Sequence, residues 1–118
     1  METCFSGYRE VAHTADWELE VWAPTLAELL RQAASGMYAL SGTQLADQPR
    51  IQRQVDVEAG DPEGLLVTFL SELLYIGETE GLGFDQVQIG INDLRLHAEL
   101  NGAPIIKLDK EIKAVTYH

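Results

Sequence analysis

The sequence predicts an α+β fold, in which two amphipathic helices pack on one face of a largely antiparallel mixed sheet. Three observations carry that prediction. Short segments alternate strictly between apolar and polar residues, the mark of a half-buried strand. Two longer stretches repeat their apolar residues at helical spacing, each behind a polar cap. Tight-turn pairs sit between the later alternating segments. At 118 residues the chain can bury one sizeable core, and residues 1–118 read as a single domain.

Tyr8 to Val11 is the first strand candidate, and it leads into His13-Thr14-Ala15-Asp16. WELEVWA follows, with Trp17, Leu19 and Val21 on one face and Glu18, Glu20 and Trp22 on the other. Pro24 ends it. Thr25 with Glu28 fits a capping box, two side chains each satisfying the other's backbone donor. Leu26, Leu29, Leu30, Ala33, Met37 and Leu40 then predict a helix to about Leu40, closed by Ser41-Gly42. Gly36 inside it marks a place of close packing.

Arg50 to Ala59 alternates weakly through Ile51, Val55 and Val57. Asp61-Pro62-Glu63 opens a second helix with a capping aspartate, a proline at the first position and an acidic first turn. Leu65, Leu66, Phe69, Leu70, Leu73 and Leu74 give it a broad apolar face, and Gly77 is the expected stop. Gly81 and Gly83 suit a loop. Val87, Ile89 and Ile91, then Leu94, Leu96, Ala98 and Leu100, read as strands of an antiparallel meander. Asn92-Asp93 and Asn101-Gly102 are its expected turns.

Composition narrows the function classes. Apolar residues make up 46% and charged residues 23%, as in ordinary globular proteins. No apolar run approaches the ~20 residues that cross a bilayer, and METCFSGYRE lacks the features of a signal peptide, so a cytoplasmic protein with no membrane partner is expected. Cys4 is the sole cysteine, which excludes an internal disulfide and a multi-cysteine zinc site. The net charge of −11 opposes direct nucleic-acid binding, because duplexes carry one negative charge per ~1.7 Å of axis.

Three places could carry chemistry. His13 and Asp16 could hold a metal or exchange protons, although Thr14 and Asp16 serve equally well as backbone caps. Glu72 lies between Phe69 and Leu73, facing either solvent or the groove between helix and sheet. EIKAVTYH, Glu111 to His118, alternates like a strand, with Lys113, Val115 and Tyr117 on one face and Ile112, Ala114, Thr116 and His118 on the other. Lys113 either lies along the Tyr117 ring or aims a cation at a carboxylate, phosphate or partner.

Taken together, HTADWELEVWAPTLAELLRQAASGMYAL, EGLLVTFLSELLY and EIKAVTYH resemble the archease family in order and spacing, from about residue 7 to 118. The resemblance implies a small acidic, non-enzymatic cofactor of an RtcB-type RNA ligase. Such a cofactor promotes guanylylation of the ligase by GTP and its multiple turnover in tRNA splicing and RNA repair. It implies a divalent metal held partly by Asp16, with calcium first and magnesium or manganese as alternatives. It further implies an activating role for Lys113, with His13, Glu72 and His118 as accompanying partner-facing candidates.

Two departures accompany the resemblance. Family members often carry aspartate and asparagine where this chain has Thr68 and Ser71. The family also continues past TYH with a strand ending in an acidic metal-binding terminus, so the C-terminal strand is expected to be missing here. The expected consequences are weak metal binding, since calcium wants six to eight oxygen ligands, and an unpaired strand edge open to homo-oligomer formation. Two other readings stand beside this one: a chaperone-like protein-remodelling module, and a small metal-dependent hydrolase centred on His13 and Asp16.

Overall fold

The computed structural model describes residues 6–11, 18–112 and 115. Strands β1 (Gly7–Val11) and β2 (Glu18–Trp22) form an antiparallel ribbon. Helix α1 (Leu26–Ser41) follows, then the short β3 (Gln44–Leu45), β4 (Ile51–Glu58), helix α2 (Pro62–Glu80), β5 (Leu82–Asn92) and β6 (Arg95–Lys107). β6 is the common partner of the second sheet: β4 and β5 both pair along it, and β3 pairs with its C-terminal end. Every pairing among the described residues is antiparallel. The expected α+β architecture is therefore present. Its strands divide into two sheets, and β6 lies against both β4 and β5, so the last strands do not form a simple meander.

The helices start where side chains take up the first orphan amides. Thr25 Oγ1 accepts from the Glu28 amide at 3.2 Å, and Asp61 Oδ1 from the Gly64 amide at 2.6 Å. Only half of the expected capping box is used, because the Glu28 carboxylate turns instead to Arg31, Gln32 and Ser6. α1 ends at Gly42 in the left-handed region, φ 67°, where a side chain would be strained.

α2 runs past Gly77 and is capped at Gly81, φ 69°, whose N–H donates to the Gly77 carbonyl. Gly77 is tolerated inside the helix, where a Cβ would meet Leu82 and Ile105 at ordinary contact distance. The expected stop at Gly77 and the loop over Gly81 and Gly83 are thus displaced. Gly83 belongs to β5, paired with Ala103.

The core forms where the two helices meet each other and the inner face of the second sheet. Leu30, Ala33 and Met37 of α1, Leu65, Phe69 and Leu73 of α2, and Leu96, Ala98 and Leu100 of β6 are all buried. Burying a side chain of this size contributes about 1.5–3 kcal/mol, which makes this cluster the main source of stability. The alternate β6 residues Arg95, His97 and Glu99 face solvent, so one side of that sheet carries no helix.

Two turns expected from dipeptide chemistry are corrected. The β5–β6 hairpin turns on Asp93 and Leu94, with φ 51° and 61°, one residue beyond Asn92-Asp93. Leu94 still packs against the core, which offsets an uncommon conformation for a bulky residue. Asn101-Gly102 is no turn at all, and β6 runs straight through it. Gly102 is needed for close approach, since a Cβ there would stand 1.8 Å from the Gly83 carbonyl oxygen.

Candidate functional site

The candidate site lies where the β1–β2 ribbon meets the segment that follows β6. α1 positions the ribbon. A Cβ on Gly36 would come within 2.6 Å of Leu19 and 2.8 Å of Tyr8, so the bare helix backbone admits those two side chains. The expectation of close packing at Gly36 is met. Ser6, just before β1, donates from Oγ to Glu28 at 3.1 Å and ties the start of the ribbon to the start of α1. Arg31 first, then Gln32 and Ser6, hold the Glu28 carboxyl down at about 2.

The same helix positions the later segment from its other end. The amides of Asp109 and Lys110 both donate to the Ser41 carbonyl, at 2.9 and 3.0 Å. Gly42 faces Asp109, where a Cβ would meet the carboxylate at 2.4 Å. Lys110 then reaches Glu10 of β1, with 3.7 Å between Nζ and Oε2. Glu10 lies six residues before Asp16, and Lys110 lies three before Lys113. The chain leading into HTAD and the chain leading into KAVTYH are therefore joined side by side.

His13, Asp16, Lys113 and His118 fall outside the described residues. Of the predicted site residues, Glu72 is described. It sits half-buried on α2, and no hydrogen bond or ion pair joins it to another described residue. Within EIKAVTYH, the described residues Glu111, Ile112 and Val115 lie in no strand, and both Ile112 and Val115 pack against the core. In a flat strand, residues three apart point to opposite faces. Among the described residues, no group of three His, Cys, Asp or Glu is placed to hold a metal ion. None of the described helices is long and apolar enough to cross a membrane.

A second polar region was not legible beforehand. On the helix-free face, His97 Nδ1 lies 2.8 Å from Asp56 and Nε2 lies 3.6 Å from Glu99. The Asp56 bond, with Glu99 beside it, raises the imidazole above its ordinary 6.5. An open cleft of about 510 Å³ runs alongside, between Asp56, Glu58, Gly90 and His97. Glu99 is two residues along β6 from His97, and the strand register brings Asp56 across to it.

Tyr38 on α1 is the one buried polar anomaly among the described residues. Burial pushes its phenol up to about 12 against the opposing pull of the Phe84 backbone, yet the hydroxyl makes no hydrogen bond of acceptable geometry. Its side chain packs against the core.

Residues 8–118 match the Archease protein family (MTH1598/TM1083). Over 115 residues the chain is 36% identical to Protein archease of Thermococcus gammatolerans, covering 90% of this chain and 80% of that one. Identity to Protein archease of Thermococcus kodakarensis is 35%, with the same shares covered. In three dimensions the chain is similar to the solution structure of Methanobacterium thermoautotrophicum protein 1598, with TM-score 0.56 and 24% identity, covering 92% of this chain and 79% of that one. That likeness bears on the fold alone. With every helix and strand but the first residue of β1 inside the matched span, the chain belongs to the archease family.

Proposed function

We propose that this protein is a non-enzymatic, cytoplasmic cofactor that promotes guanylylation and multiple turnover of an RtcB-type RNA ligase in tRNA splicing and RNA repair. Family membership supports the cofactor role. The observation that carries the placement of the site is the Glu10–Lys110 pair, 3.7 Å apart, with both segments fastened to α1. Residues 10 and 110 are adjacent, which supports a joint role for Asp16 and Lys113.

In this reading Asp16 provides a carboxylate for a divalent cation, calcium before magnesium or manganese, and Lys113 presents an ammonium group. The described residues add no metal cluster of their own. One carboxylate supplies at most two oxygens, so the remaining ligands would come from water or the partner. His13, Glu72 and His118 are the accompanying contacts to the ligase. Fixed charge of this kind favours a charged transition state without bond-making by the cofactor itself. The acidic body suits a cationic, GTP-using enzyme and disfavours direct contact with RNA.

The test is RNA joining by purified RtcB-type ligase under multiple-turnover conditions, with GTP and with or without this protein. Stimulation by the parent, and its loss in Asp16→Ala and Lys113→Ala, is the expected result. A parent without effect on turnover or guanylylation ends the reading. Variants as active as the parent would remove the two assigned roles.

A further inference from the structure

We propose that His97 and Glu99 form a binding site for a borderline divalent cation of the zinc, nickel or copper class, with Asp56 holding the imidazole from behind. The site lies on the helix-free face of the second sheet. It uses none of the residues assigned above to a cation or to the ligase, and it stands independently of the ligase-cofactor reading.

β6 sets the two ligands side by side. Residues 95–98 alternate between exposed and buried, as do 99 and 100, so Arg95, His97 and Glu99 share the outer face. β4 pairs with β6 over its eight residues without a register shift, which places Asp56 directly opposite His97. Side chains on a strand paired along both edges are held more precisely than those on a loop. Gly90 of β5 stands opposite His97 from the other side. A Cβ there would meet nothing within 4 Å, so the ring is approachable from the cleft.

The hydrogen bond decides which ring nitrogen is the ligand. His97 Nδ1 lies 2.8 Å from Asp56 Oδ1, and a carboxylate only accepts, so Nδ1 carries the proton. The neutral ring then keeps its lone pair on Nε2. A carboxylate on the far nitrogen is the usual outer partner of a metal-binding histidine, because it fixes the tautomer and raises the basicity. Glu99 Oε2 stands 3.6 Å from Nε2, beyond hydrogen-bond reach. Two donor atoms on a tetrahedral zinc ion are ~3.4 Å apart, so the gap has the size the ion needs.

Asp56 and Glu99 serve opposite nitrogens and do not converge with His97 on one point. That agrees with the absence of a three-residue metal group among the described residues. Two side chains and water complete the coordination, which makes the site open and exchangeable. The neighbours permit it. Gln54 and Gln88 flank Glu99 from its two sides and carry no charge. Arg95 lies on the other side of His97 and faces Glu58 at 3.8 Å. Calcium and magnesium take oxygen ligands and do not suit an imidazole.

The test is a zinc titration of the full chain in mildly alkaline buffer, followed by NMR of the histidine rings, with His97→Gln assigning the His97 signals. The His97 ring is expected to shift and saturate below about 1 mM zinc. Glu99→Gln and Asp56→Asn should each weaken that response on the order of tenfold. Both positions are exposed, so the melting temperatures should match the parent. A His97 ring unmoved at about 1 mM zinc overturns the site and leaves a surface ion pair. Parent-like titration by Glu99→Gln or Asp56→Asn overturns the arrangement of ligand and outer partner. An equal response to calcium overturns the nitrogen ligand. The titration contains no ligase, so its failure leaves the cofactor reading intact.

Discussion

The two sheets are held in different ways. β5 and β6 share a register of ten paired residues interrupted by one bulge, β4 matches β6 over eight more, and α2 seals their inner face with Phe69 and Leu73 fully buried. The β1–β2 ribbon has five residue pairs, and its grip on the body includes Val21 packed against the core, the Gly36 contact, the Ser6–Glu28 bond and the Glu10–Lys110 pair. Apolar burial stabilises the first region. A smaller apolar contact through Val21, one close backbone approach and side-chain polar contacts position the second, which includes Glu10 and its partner Lys110. Stability and proposed function are thereby separated in space, so substitutions in the two regions should have different signatures.

The largest effect is expected at Gly102→Ala, where the added Cβ meets backbone that cannot move aside. A loss above about 4 kcal/mol, or failure to fold, should appear in urea denaturation followed by circular dichroism. Phe69→Ala, at 0% exposure, should cost about 3–5 kcal/mol as a single global transition. Gly36→Ala meets side chains that can shift, so about 1–3 kcal/mol is expected. Hydrogen exchange should then quicken in β1 and β2 while the β6 amides around Ala98 stay protected. Equal acceleration in both sheets would break the contrast.

Glu10→Gln and Lys110→Ala should each change stability by less than about 1 kcal/mol, since the pair is partly exposed. Ligase stimulation should nevertheless fall, and the exchanged pair Glu10→Lys with Lys110→Glu should restore much of it.

Acid and base should separate the regions as well. The Glu28 carboxyl is lowered from 4.5 to about 2, so its contribution is present above pH 4.5 and disappears as pH falls toward 2. His97 behaves in the opposite sense: its pKa is raised from 6.5, so its contribution is full below pH 6.5 and vanishes as pH rises through the raised value. Both groups are well solvated and the effects should be small. Fluorescence of Trp22 should report the acid change in the ribbon, and His97→Gln should abolish the alkaline one.

Legibility followed the range of the interactions. Thr25, Asp61-Pro62 and Gly42 act within one turn of their own helix, so their chemistry was readable in a short window. Asn101-Gly102 carries a strong turn signal, yet here the glycine serves a neighbour's carbonyl and the strand continues. Gly77 was the expected helix stop and Gly81 a loop residue, and the three-dimensional surroundings move the cap to Gly81. β3 is too short, at two residues, for periodicity to register. Residue chemistry marked out the motif segments, and the resemblance alone gave them roles. The contact that joins their approaches, between residues 10 and 110, has no local signature.

β6 also bears on how such a chain can change length. Three other strands take their register from its 13 residues. One residue inserted within it would send buried leucines outward and charged neighbours inward on everything downstream. Length changes are therefore better placed outside it, at the exposed residues 47–49, and a grafted loop or label belongs there.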